Sequence, residues 1–152
     1  MSDQYMGYTL PTEEIEVLKV LEQKMGSSWS NDCFKVVDNH ITRIIVTRNT
    51  LTSLPENIGN CKNLIHLTFY SNKIETIPNS VGKLTNLEWL SAQQNKLYEL
   101  PTNLANCTAL KQLDLGVNEL TVLPGWISNL KNLEKLDDQI DPPLFLGSMM
   151  RN

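Results

Sequence analysis

Histidine, cysteine, clustered carboxylates and glycine-rich turns carry most protein chemistry, and this chain is sparing with each. His40 and His66 are its two histidines. Neither has a nucleophile at a meaningful spacing. Three cysteines, Cys33, Cys61 and Cys107, stand far apart. The acidic run "DDQID" (137–141) lacks the glycine and closing glutamate of a calcium loop. No glycine-rich phosphate loop occurs. The triplet "NCT" at Asn106 has the form of a glycosylation acceptor, but in a chain with no secretory leader in view it reads as ordinary surface. These residues predict neither an enzyme nor a bound cofactor or metal. Aromatic and charged side chains with the means to bind another molecule remain.

The segments that carry them repeat. Leu64, Leu87, Leu110 and Leu133 are 23 residues apart; so are Pro55, Pro78, Pro101 and Pro124, and Asn49, Asn72, Asn95 and Asn118. Three columns with one period define a repeat array. Stacked, the units read "ITRIIVTRNTLTSLPENIGNCKN", "LIHLTFYSNKIETIPNSVGKLTN", "LEWLSAQQNKLYELPTNLANCTA" and "LKQLDLGVNELTVLPGWISNLKN". Their pattern, LxxLxLxxNxLxxLPxxIGxLxx, resembles the leucine-rich-repeat family over about residues 41–137. The LPxxIGxL ending is similar to the intracellular subgroup of Ras-associated and polarity scaffolds. The resemblance implies an α/β, right-handed solenoid with a parallel concave sheet and short helical or 3₁₀ convex turns.

Physical reasoning leads to the same architecture. In "LIHLTF", Leu67 and Phe69 alternate with His66 and Thr68, the period of a half-buried strand. One such strand cannot bury its apolar face alone, so equivalent strands stack at ~4.8 Å into a parallel sheet over one core. The crossover in each repeat starts at proline and continues through Ile58, Val81, Leu104 or Ile127, which fits a short 3₁₀ turn. Gly59, Gly82, Ala105 and Ser128 share a small-residue column that lets neighbouring turns approach. Val46, Phe69, Ala92 and Leu115 share a core column in which large Phe69 offsets small Ala92. Cys61 and Cys107 replace leucine in the column of Leu84 and Leu130, two repeats and ~10 Å apart. That is too far for a disulfide, so they read as core. The asparagine column, Asn49, Asn72, Asn95 and Asn118, is predicted as an inward ladder whose amides satisfy turn backbone in their own and adjacent repeats.

The ends need caps. Residues 1–10 read as a flexible N-terminus and 11–40 as a capping helix and strand. Thr12 is the expected N-cap, Glu13 and Glu14 lie in the first turn, and Gly26 is the stop. Ile15, Leu18, Leu21 and Met25 form the apolar face. "FKVVDNHITRIIV" reads as two strands about an Asp38–Asn39 turn, adding a helix-plus-hairpin cap before the repeats. Residues 41–141 read as four full repeats and one terminal partial. Asp138 falls in the column of Phe69 and Leu115, and Asp141 stands where asparagine is expected. Residues 142–152 read as a C-terminal cap or tail.

The repeat frame also sets which residues face outward on the sheet. One row is Arg43, His66, Trp89, Gln112 and Lys135; a second is Ile45, Thr68, Ser91, Asp114 and Asp137; a third is Thr47, Tyr70, Gln93, Gly116 and Gln139. The candidate partner-binding set is Arg43, Arg48, His66, Tyr70, Trp89, Gln93, Gln112 and Asp114, because Trp, Tyr and Arg dominate interface energetics. Cations gather in the early repeats, and Asp114, Glu119 and Asp137 in the late ones.

A net charge of −4 argues against nucleic acid, and no apolar run is long enough to insert in a membrane. The start, "MSDQYMGYTL", has no basic region followed by an apolar one, so the expected setting is cytoplasmic. The expected function is a protein-interaction module, a scaffold or regulator binding through the concave face as a monomer or weak self-associate. The resemblance adds a small GTPase or signalling protein as the partner. The alternative is a self-assembling solenoid with end-to-end or face-to-face contacts.

Overall fold

The computed structural model of this chain describes residues 1–138. The expectations for Gln139, Asp141 and the tail at 142–152 lie outside the described residues.

Residues 1–10, expected to be a flexible N-terminus, instead contribute the strands of a β-hairpin. Strand β1 (Ser2–Tyr5) pairs antiparallel with β2 (Tyr8–Pro11) across Met6–Gly7. Both turn residues have positive φ, at 48° and 89°, which suits a two-residue turn between twisted strands. The hairpin is anchored by what it buries. The Tyr5 hydroxyl donates to Glu22 Oε2 at 2.8 Å and accepts from Trp29 Nε1 at 2.8 Å. Burial, with help from the Glu22 carboxylate, pushes the Tyr5 phenol up to about 12. Tyr5, Tyr8 and Trp29 surround the Phe34 ring at centroid distances of 6.1, 5.6 and 5.7 Å.

Helix α1 (Thr12–Met25) follows directly. Thr12 is its first residue, not its cap. The hairpin delivers Pro11 in extended conformation to the cap position, and the Thr12 hydroxyl donates to Asp3 at 2.8 Å. Gly26, at φ 57°, ends the helix. Ile15, Val17, Leu18, Leu21 and Met25 are buried against the end of the repeat core. Glu14 is also buried. Its Oε2 accepts from Ile41 N at 2.8 Å, and its Oε1 lies 2.9 Å from His40 Nδ1. The helix therefore holds the start of the first repeat strand through a carboxylate as well as through apolar packing.

Strands β3 (Phe34–Val37) and β4 (His40–Ile45) form the expected antiparallel hairpin. Asp38 and Asn39 occupy its turn at φ 51° and 62°. From β4 the sheet is parallel through β5 (His66–Thr68), β6 (Trp89–Ser91), β7 (Gln112–Asp114) and β8 (Lys135–Asp137). Equivalent residues pair in register, as in Ile44, Leu67, Leu90, Leu113 and Leu136. The 23-residue period is thus the sheet register. Short 3₁₀ turns at Ile58–Asn60, Asn79–Lys83, Thr102–Asn106 and Gly125–Asn129 line the convex side. A Cβ on Gly59 would lie 2.2 Å from Ser80 O in the next turn, and one on Gly82 2.6 Å from Asn103 O. Val46, Phe69, Ala92 and Leu115 are fully buried, and Asp138 is buried in their column. Cys61 and Cys107 are free and buried; burial drives the Cys61 thiol far above its ordinary range and pushes Cys107 up to about 12.

The bend after each strand uses two adjacent columns. Arg48, Ser71, Gln94 and Val117 adopt left-handed φ of 52–60°. The asparagine beside each turns inward. Asn72 Oδ1 accepts from Leu51 N at 3.2 Å, while its Nδ2 donates to Val46 O at 2.6 Å and Phe69 O at 3.1 Å. Asn95 and Asn118 repeat this pattern on Ile74, Phe69 and Ala92, and on Leu97, Ala92 and Leu115. Each amide therefore ties its own strand end to the preceding repeat. Asn49, expected in the ladder, does not join it: its Oδ1 accepts from neighbouring Thr50 N. The element before it is an antiparallel hairpin strand, which presents no equivalent turn backbone.

Candidate functional site

The concave face is built by strand register. Pairing of β4 to β8 aligns Arg43, His66, Trp89, Gln112 and Lys135 in one row, and Ile45, Thr68, Ser91, Asp114 and Asp137 in the next. The third row, through Tyr70 and Gln93, follows one pleat further along. Arg48 stands exposed at the left-handed turn beyond it.

Arg43, His66 and Trp89 converge on a cleft of about 280 Å³ that Ile45, Leu67, Thr68 and Ser91 complete. His66 meets Trp89 edge to face at 5.4 Å. Trp89 remains 42% exposed, among the largest apolar surfaces on this side of the sheet. Its orientation is fixed from the neighbouring strand: Nε1 donates to Asp114 Oδ2 at 3.2 Å, and Gln112 Nε2 donates to the same oxygen at 3.0 Å.

Asp114 therefore differs from the surface acid its row position suggests. It is 5% exposed, and its Oδ1 is buried without a hydrogen-bond partner. A carboxylate kept in this state costs free energy, about 1–3 kcal/mol for an unsatisfied buried polar group. It acts on the site through Trp89. Asp137 is half-buried and accepts from Gln93 Nε2 at 3.4 Å. Of the eight candidate residues, the cleft gathers three; Gln112 and Asp114 support its far wall, and Gln93, Tyr70 and Arg48 lie outside its lining.

Sequence reasoning missed Lys35. A regular two-residue hairpin that pairs Val37 with His40 and Val36 with Ile41 would set Lys35 opposite Thr42. A β-bulge between Lys35 and Val36 sets it opposite Arg43 instead. Residues paired across antiparallel strands share a face. Lys35 thus extends the Arg43 row by one strand, and both are exposed. Nothing in "FKVVDNH" signals a bulge. Ile45 was legible as an outward residue, and its role as an apolar wall emerges only beside Trp89.

Among the described residues, no group of three or more His, Cys, Asp or Glu side chains is placed to hold a metal. None of their helices is long and apolar enough to cross a membrane.

Residues 2–140 match a family model described as "Leucine-rich repeat region". No curated protein sequence matches the chain. Among solved structures, it resembles an LRR protein of Leptospira interrogans at 28% identity and TM-score 0.61, covering 68% of this chain and 26% of that one. It also resembles the LRR ectodomain of the receptor kinase SOBIR1 from Arabidopsis thaliana at 24% identity and TM-score 0.67, covering 91% and 83% of the two chains. A third is the plant peptide hormone receptor RGFR1, solved in complex with RGF2, at 26% identity and TM-score 0.58, covering 71% and 17%. The chain thus spans about a quarter of the Leptospira protein and less than that of RGFR1.

Proposed function

We propose, for a chain that belongs to the leucine-rich-repeat family, that it is a non-enzymatic module that binds a protein partner across its concave face. The observation that carries this reading is the cleft where Arg43, His66 and half-exposed Trp89 converge. An aromatic side chain held in one orientation by a buried carboxylate loses little further freedom on binding, which favours affinity. Three buried free cysteines and the absence of paired cysteines in the N-terminal cap support a cytoplasmic setting. The motif's likeness to intracellular scaffolds supplies a small GTPase or another signalling protein as the partner class, in a scaffold or regulatory role. The likeness to RGFR1, which was solved with RGF2, is a further reason to place the partner on the protein side of chemistry.

The test is affinity capture with the parent chain, Trp89→Ala and Trp126→Ala, read by mass spectrometry. Trp126 is half-buried on the convex side of the fourth repeat and packs on the core. A partner held by the parent and by Trp126→Ala, but lost with Trp89→Ala, supports the concave site. Loss with Trp126→Ala alone moves the site to the convex side. Concentration-dependent sedimentation, with no partner captured, replaces the reading with self-assembly.

A further inference from the structure

The concave face is sorted by charge in a way that the sequence does not reveal. Two of the late acids already accept hydrogen bonds from neutral donors of the sheet: Asp114 from Trp89 and Gln112, and Asp137 from Gln93. Asp114 is buried as well. Glu88, beside the Trp89 row, pairs with Lys111 at 3.4 Å. The early cations are in the opposite state. Lys35, Arg43 and Arg48 are exposed and, among the described residues, make no ion pair or side-chain hydrogen bond. The bulge that turns Lys35 to Arg43 concentrates two of these charges at one edge of the cleft. A protein of net charge −4 thus presents unneutralised positive charge around an apolar cleft of about 280 Å³. The cleft has room for an apolar side chain of leucine or phenylalanine size between Ile45 and Trp89.

We propose that this cleft takes a linear acidic segment of a protein partner, with one apolar side chain seated against Trp89 and Ile45 and flanking carboxylates on Arg43, Lys35 and Arg48. The inference rests on the concave-face reading above and adds the chemistry of the ligand. Opposite charge steers such a segment onto the face and sets its register, while the buried anchor supplies most of the residence time. A basic segment meets exposed cations at this edge of the cleft, while Asp114, the acid nearest Trp89, is buried.

The test pans a random linear-peptide display library against the whole chain. One enriched peptide and its charge-reversed and anchor-to-glycine versions are then titrated by fluorescence anisotropy. Enriched sequences should carry aspartate or glutamate on both sides of one apolar residue. Arg43→Glu should weaken binding at least tenfold, and Lys35→Glu severalfold. Trp89→Ala should weaken it about thirtyfold, the scale of a central aromatic anchor. Affinity should fall as salt rises from 50 to 300 mM, by the screening of exposed charges. Unfolding midpoints establish that each variant is folded. Enriched peptides of neutral or basic composition that still depend on Trp89 overturn the acidic-ligand proposal and leave the concave-face reading standing. Peptides insensitive to Trp89, Arg43 and Lys35 overturn both. Failure to enrich any peptide overturns the linear-segment proposal, as does a library outcompeted by a second copy of the chain.

Discussion

Asn49 and Asn72 hold the same position in successive repeats, yet only the Asn72 side chain bonds into the repeat before it. Asn72 reaches back to Val46 O and Leu51 N; Asn49 accepts from Thr50 N, one residue away. The side chains are identical, so the difference lies in what precedes each repeat. Inner repeats follow another repeat, whose turn exposes a carbonyl and an amide at the right height. The first follows β3, which pairs antiparallel with the first repeat strand. Its attachment comes from elsewhere: the buried Glu14 carboxylate on Ile41 N, and the apolar face of α1. A repeat solenoid therefore needs a different chemical solution at its first unit from the one it reuses inside.

The largest test removes that special solution. Deleting residues 1–32 removes Leu18, Leu21 and the rest of the helix's apolar face and exposes the repeat-core surface they cover, at about 1.5–3 kcal/mol per large apolar side chain uncovered. The expected result is loss of a cooperative urea transition, with aggregation. An equally stable, monomeric truncation would show that the first repeat needs no cap.

Asparagine substitution probes the comparison directly. Asn95→Ala strands Ile74 N and removes one of the two amide donors on Phe69 O and Ala92 O, which keep Asn72 and Asn118; it should cost about 1–3 kcal/mol, the range for a buried unsatisfied group. Asn49→Ala should cost about 0.5 kcal/mol or less, the usual range away from buried networks. Denaturant midpoints of the two variants decide it: equal losses would mean that the first repeat belongs to the ladder after all.

A convex counterpart asks how tightly inner repeats stack. Gly59→Ala places a methyl 2.2 Å from Ser80 O, and such overpacking should cost about 2 kcal/mol. Ala105 already carries a Cβ in the same column, so Ala105→Gly serves as a control of small effect. A neutral Gly59→Ala would show that the turns slide apart freely.

The smallest effect is a gain. Val117 is a β-branched residue at φ 55°, in a column otherwise filled by Arg48, Ser71 and Gln94. Asparagine tolerates this region, and Val117→Asn should raise stability by about 0.5–1 kcal/mol, since left-handed backbone costs about 1–2 kcal/mol for ordinary L-residues. A thermal midpoint unchanged or lowered would place the strain elsewhere.

Much of this molecule was legible because a 23-residue period is a local rule. Each repeat carries its own strand, proline turn and inward asparagine, so aligning the sequence aligned the sheet. Strand register, the core columns, the rows holding Trp89 and His66, and the 3₁₀ turns all follow from it. What the tertiary structure decided involves a neighbour that the period cannot express. Asn49 leaves the ladder because no repeat precedes it. The first ten residues fold because Tyr5 and Tyr8 find Phe34 and Trp29. Lys35 joins the Arg43 row through a bulge that neither strand signals. Asp114, an outward residue by alternation, is nonetheless buried and accepts from the indole of Trp89, one strand away. Alternation states which way a side chain leaves the backbone; only the side chains of adjacent strands settle whether water still reaches it.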